Sequence, residues 1–210
     1  MIDAPSVRVG PQAAMLNLSD FRTRVAMSRK IYVISLMTDL PTHLIRIARP
    51  SDLDAVSAVL AASYSNLLTA RYDREILNRA LPLMTSANPA LLRSGTYYVA
   101  EIGQGNLVGC GGWTAGRPGS GEIIEGEAHI RHFATHPEWI GRGVGSSLLA
   151  RCFSDARTFG IRKLHCFSTL NAERFYQASG FETIGPIDVS MGRSLTFPSV
   201  LMSRDLAQLH

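Results

Sequence analysis

Apolar positions along the chain fall into two alternating rhythms, and both begin near residue 44. Residues 44–48 (LIRIA) alternate like a short strand. Pro50 and Ser51 then open a helix, with Ser51 predicted as its N-cap and Asp54 three residues on. Leu53, Val56, Val59 and Leu60 give that helix an apolar stripe, and Ile76, Leu77, Leu81 and Met84 do the same for a second helix over 73–84. Residues 96–102 and 107–114 are strand-like and joined by a glycine-bearing turn, so they predict a hairpin. A Gly/Pro-rich loop over 115–122 leads to a strand over 127–135, which His136-Pro137 ends. A long helix follows to about Phe159, with Val144, Leu148, Leu149, Cys152, Phe153 and Ala156 on one face. Residues 163–169 are another strand. Asn171 is predicted to cap a helix that ends at Gly180, and a strand over 197–204 closes the domain. This order predicts a mixed α/β sheet with a glycine-rich strand-to-helix turn.

Residues 1–42 carry no such period, so they are expected to form a poorly packed extension, dispensable for chemistry, ahead of a domain over 43–210. The short apolar run at 31–37 is the part of it that a pairing strand or a partner-binding arm would use. Hydrophobic residues make up 46% and charged residues 18%, the balance of an ordinary soluble protein with a real core. The net charge of +4 is spread without a Lys/Arg run, which argues against a nucleic-acid partner but suits a small polyanionic ligand. No apolar run approaches the roughly 18 residues of a membrane span. Cys110, Cys152 and Cys166 are an odd number without framework spacing, which predicts reduced thiols and a cytoplasmic setting.

The candidate chemistry starts at Gly141-Arg142-Gly143-Val144-Gly145-Ser146. Glycines let the backbone approach a ligand closely, and the first N–H groups of a helix have no internal partners. With the helix dipole they form an anion site, to which Arg142 adds charge, and the expected ligand is a phosphate or pyrophosphate. No lysine follows as a Walker A loop requires, and Leu148 stands where a dinucleotide fingerprint needs its third glycine. The residues themselves leave a coenzyme A pyrophosphate and a ligand-free tight turn both standing.

Two motifs resemble the GNAT superfamily of acyl-CoA N-acyltransferases. The run from Ile140 to Gly145 is similar to the family's Arg/Gln-x-x-Gly-x-Gly/Ala pyrophosphate motif, after a strand and His-Pro turn of the usual kind. Asn171, then Phe175-Tyr176-x-x-x-Gly180-Phe181, is similar to the second. The match covers about residues 43–206, and Ile140 departs from the Arg or Gln usual at its position. The resemblance implies a mixed, mostly antiparallel sheet flanked by helices and splayed at the CoA site. It implies acetyl-CoA as co-substrate, no metal, a small-molecule or peptide amine as acceptor, and homodimers as a frequent assembly. It implies CoA contacts from Phe133, Ala134, Thr135, Gly141, Arg142, Gly143, Val144, Gly145, Ser146 and Asn171, with a backbone N–H of Ala134 or Thr135 polarising the thioester carbonyl. A CoA-binding regulatory domain without turnover is the alternative.

Acetyl transfer needs a neutral amine, and a lysine-like amine has a reference pKa of roughly 10.4. On the strand 127–135 the two-residue period puts Glu127, His129, Arg131 and Phe133 on one face and His132 on the other. By resemblance, a base stands fourteen residues before Gly143, at His129, with Glu127 as the second candidate. Tyr176 aligns with the tyrosine that faces the CoA sulfur, as proton donor to the departing thiolate. His129 and His132 on opposite faces do not converge on a metal. Tyr64, Tyr72 and Trp113 could wall an acceptor pocket with the loop over 114–126, where Glu122, Glu125 and Glu127 could attract a cationic amine.

Overall fold

A computed structural model describes residues 43–192 and 195–207. The extension expected over 1–42 lies outside the described residues. The elements are β1 (Leu44–Ile47), α1 (Leu53–Leu67), α2 (Arg74–Met84), the single turn α3 (Pro89–Leu92), β2 (Tyr97–Ile102), β3 (Asn106–Thr114), β4 (Glu127–Thr135), α4 (Val144–Thr158), β5 (Lys163–Ser168), α5 (Glu173–Ala178), β6 (Glu182–Ser190) and β7 (Thr196–Asp205). They build one seven-stranded sheet in the order β1-β2-β3-β4-β5-β7-β6. Only β4 and β5 pair in parallel. The mixed, mostly antiparallel sheet expected from the sequence is therefore present.

Both faces of the sheet are covered. Val56, Val59 and Leu60 of α1 pack with Val99, Cys110 and Ala134 on one face. Leu148, Leu149 and Cys152 of α4 pack with Ala128, Leu164 and Met202 on the other. Gly109 sets how closely α4 lies on β3: a Cβ there would sit 2.5 Å from the Val144 Cγ1. Hydrophobic packing of this kind contributes about 25 cal/mol for each Å² of apolar surface removed from water.

Three local expectations are corrected. Ser51 is not the N-cap, because Pro50–Asp52 forms a 3-10 turn first. The Asp52 carboxylate accepts the Arg49 N–H at 2.7 Å and the Arg46 guanidinium at 2.7 and 3.0 Å, stronger charge-assisted bonds than a serine cap offers. Asn171 does not cap α5 either. The chain makes a turn from Thr169 to Ala172, and Ala172 holds the cap position without a side-chain bond. Finally, the strand β6 has no strand-like run in the sequence, since Gly185 and Pro186 interrupt it; its pairing along β7 is what holds it.

The most consequential irregularity lies in β4. Cys110 faces Ala134 and Gly112 faces Arg131, so His132 and Phe133 together oppose the single residue Gly111. This is a β-bulge, and His132 carries it with a left-handed φ of 43°. The bulge inverts the alternation. Arg131 pairs with Gly112 and Ala134 with Cys110 on one face, while Phe133 turns to the other and packs against the α4 cluster. Phe133 therefore does not share a face with His129 and Arg131. The same region is where β4 and β5 part. Their parallel pairing stops at His129–His165, while β5 continues against β7 to Ser168. Beyond His129 the β5-facing edge of β4 is open.

Candidate active site

A groove of about 580 Å³ runs across that opening. Its floor is Phe133, Ala134 and Thr135, and one wall is Gly141, Gly143, Val144, Gly145 and Ser146 at the start of α4. Asn171, Phe175 and Tyr176 form the other wall, and Tyr64 closes it from α1. Gly141 and Gly143 have φ of 75° and 78°, and a Cβ at either would meet no atom within 4 Å. No packing demand explains these two glycines; a left-handed turn beside open space does. Ser147 is the first residue of α4 to bond back within the helix, to Gly143, so the N–H groups of Val144, Gly145 and Ser146 remain for an anion. The groove thus fits a pyrophosphate followed by an extended arm.

Arg142 is the exception among the residues expected to hold CoA. Its guanidinium stacks 4.8 Å from the Trp139 ring centroid, and it does not line the groove. Ile140 lines the groove and is half exposed. The ladder also separates the two carbonyl-donor candidates. His136 N–H bonds to Val108 C=O, so alternation makes Ala134–Cys110 a bonded pair and Thr135–Gly109 a non-bonded one. The Thr135 N–H accordingly turns toward the open edge, whereas that of Ala134 is engaged with Cys110.

A second cavity, about 210 Å³, lies on the α2 side of the opening. Tyr64, Phe133, Thr169, Ala172 and Tyr176 line both cavities, which therefore meet at these residues. The Tyr176 ring is buried between Phe175 and Phe181, with centroids at 5.1 and 5.3 Å. Its hydroxyl lies against the Cys166 thiol, and burial holds the phenol well above its ordinary range. Tyr176 therefore keeps its proton at neutral pH.

The expected bases sit elsewhere. His129 lines neither cavity; it is buried and stacks on His165 at 5.2 Å. Burial first, then the charges of His165, Arg117 and Arg131, push it down to about 4. Glu127 is bonded to His165 Nε2 at 2.8 Å and also lines neither cavity. His132 does line the second cavity, and burial and Arg131 push it down to about 4 as well. The bulge brings it there, against the strict period. Gly111 opposite it and the neighbouring Gly112 are the sequence signal, since glycines inside a strand mark bulges or close approach. Of the pocket aromatics, Tyr64 lines both cavities, but Tyr72 stacks on Phe197 and Trp113 is core. Glu122 and Glu125 line neither cavity, and no group of three metal-ligating side chains converges among the described residues.

The two depressed histidines predict how stability depends on pH. Each is neutral in the fold down to about 4 but protonates near 6.5 when unfolded, so below 6.5 the unfolded chain binds more protons. Their contribution is intact above 6.5 and is lost as pH falls toward 4, by about 1.4 kcal/mol per pH unit for each histidine. Urea midpoints should fall across that window, and His129→Gln should flatten the slope.

Residues 93–183, from the end of α3 into β6, match the family model described as Acetyltransferase (GNAT) domain. The fold is similar to a GCN5-related N-acetyltransferase from Rhodopseudomonas palustris, at 23% identity, a TM-score of 0.62, and coverage of 78% of this chain and 96% of that one. It is similar to the PaiA N-acetyltransferase of Thermoplasma acidophilum in complex with coenzyme A, at 17% identity, a TM-score of 0.59, and coverage of 78% and 98%. N-acetylglutamate synthase from Neisseria gonorrhoeae, complexed with coenzyme A and N-acetyl-glutamate, matches at 22% identity and a TM-score of 0.50, over 78% of this chain and 35% of that one. No curated protein sequence matches the chain.

Proposed function

We propose that this chain, which carries a GNAT acetyltransferase domain in a GNAT fold, moves an acetyl group from acetyl-CoA to a primary amine by direct attack in a ternary complex. The observation that carries this reading is the junction of the two cavities at Phe133 and Tyr176. A thioester in the groove and an amine in the second cavity meet there without either leaving the protein, which turns a bimolecular step into an oriented one.

The roles follow from position. The N–H groups of Val144, Gly145 and Ser146 hold the pyrophosphate, with Asn171 along the arm. The Thr135 N–H donates to the thioester carbonyl oxygen as negative charge grows on it. The amine nitrogen attacks the carbonyl carbon, the C–S bond breaks with its electron pair leaving on sulfur, and the amine's proton passes to water, which in turn protonates the CoA thiolate. Tyr176 donates a hydrogen bond to the departing thiolate. A histidine near 4 is a weak acceptor for an ammonium near 10.4, and Glu127 is tied to His165. His129 and Glu127 can act only through intervening water, so the acceptor enters largely in its neutral fraction. Consequently kcat/KM should climb with unit slope from pH 6 toward the acceptor's own pKa. His129→Ala and Glu127→Gln should follow the same curve; loss of the slope in either variant would restore that residue as the base.

The test is release of free CoA thiol from acetyl-CoA across a panel of primary amines. Thiol should appear one for one with N-acetyl product. Acetyl-CoA binding without thiol release over the whole panel would favour a CoA-binding domain without turnover, for which Ile140 in place of a polar side chain is the one favouring observation. No described helix is long and apolar enough to cross a membrane. The three cysteines are buried and free, which supports a reducing, cytoplasmic setting.

A further inference from the structure

We infer that the second cavity selects amines that also carry an anionic group, a carboxylate above all, and that Arg131 is the residue that binds it. This rests on the acetyltransferase reading and names the acceptor class that reading leaves open.

Arg131 is the only charged residue lining the cavity among the described residues, where no aspartate or glutamate joins it. Among the described residues its one hydrogen bond is to the hydroxyl of Thr114, at 3.0 Å. Among the described residues no carboxylate acts on it: burial lowers its pKa, and the one opposing influence is the phenol of Tyr97. Three other arginines near the sheet have carboxylates or rings. Arg46 binds Asp52 and Glu101, Arg151 binds Asp155, and Arg117 lies over Phe167. A partly buried guanidinium with spare donors and no counter-charge is a site for a carboxylate, which can bond it through two parallel N–H groups.

The rest of the lining argues in the same direction. A purely cationic acceptor, such as a polyamine, would enter a cavity that holds a positive charge and no negative one. Leu83, Met84, Val189, Met191 and Phe197 supply apolar lining in the same cavity as Arg131. At about 30 Å³ for each water, the cavity has room for about seven waters, the scale of one small molecule. An apolar α-amino acid meets all three conditions: a carboxylate for Arg131, an apolar body, and an amine directed to the junction at Tyr176.

The experiment compares L-leucine with leucinamide and isoamylamine as acceptors, by thiol release with saturating acetyl-CoA, each kcat/KM being referred to the neutral fraction of that amine. L-leucine should give kcat/KM higher than either analogue by on the order of tenfold to a hundredfold, since a charge-assisted pair is lost in both. Arg131→Gln should erase that ratio, chiefly through KM for leucine; Arg131→Lys should restore part of it. The ratio is measured within one protein, so a partly destabilised variant remains readable. Equal rates for the three acceptors, or an unchanged ratio in Arg131→Gln, would overturn the inference while leaving the acetyltransferase reading intact. If no amine releases thiol, titration of N-acetyl-L-leucine into the CoA-saturated protein decides the matter. Binding that weakens in Arg131→Gln supports the anion site without catalysis, and binding that is absent or indifferent to Arg131 overturns it.

Discussion

Replacing Gly143 with valine is expected to lower acetyl-CoA affinity by at least about a hundredfold, or roughly 2.7 kcal/mol. Two effects add. Gly143 has a φ of 78°, which a β-branched residue adopts only at a cost of about 1–3 kcal/mol. Its Cβ would also project into the open space beside the first N–H groups of α4, where a pyrophosphate would sit. Because that Cβ meets no atom within 4 Å, the substitution starts in open space, and the fold should survive. Calorimetric titration with acetyl-CoA and a thermal melt of the same sample check both halves. Undiminished binding by Gly143→Val would remove the anion site from this turn. Arg142→Ala is the control: its side chain is stacked on Trp139, so affinity should change by less than about threefold, the scale of an exposed ionic contact.

Tyr176→Phe is expected to lower kcat by roughly ten- to a hundredfold, with KM for acetyl-CoA nearly unchanged. The ring would stay packed between Phe175 and Phe181, and only the hydroxyl is removed. The expected loss is that of one hydrogen bond to a charged atom rather than of a full proton transfer. Burial holds the phenol well above its ordinary range, so handing its proton to a thiolate whose conjugate acid is near 8.5 runs uphill. Steady-state kinetics with acetyl-CoA varied against a fixed amine separate the two constants. An unchanged kcat would mean that solvent, not Tyr176, meets the departing sulfur.

The elements that carry long period-2 or period-3.6 runs were legible in the chain, as were the groove residues around Gly141–Ser146. There a local motif corresponds to a local structure: a strand, a glycine turn and a helix start. The acceptor side was not legible. Its lining comes from α1, α2, the loop at Pro118, β4, β5, α5, β6 and β7, and no local pattern records such an assembly. His129 shows the same limit. Counting along the strand put it in the site, but parallel pairing with His165 encloses it where the sheet is still closed. Asp52 and Asn171 show another. Several residues compete for each helix start, and contacts from outside the helix decide at Asp52.

The bulge at His132 has a consequence for anyone who would redesign the strand. It reverses the parity of β4, so odd positions before it and even positions after it belong to the same side of the sheet. A carboxylate meant to stand beside Arg131 would have to be introduced at 134, where an uninterrupted count would choose 133. Removing His132 would erase the bulge yet keep that parity: Phe133 alone would stand opposite Gly111 on the face it now holds, and Ala134 would stay on the face of Arg131.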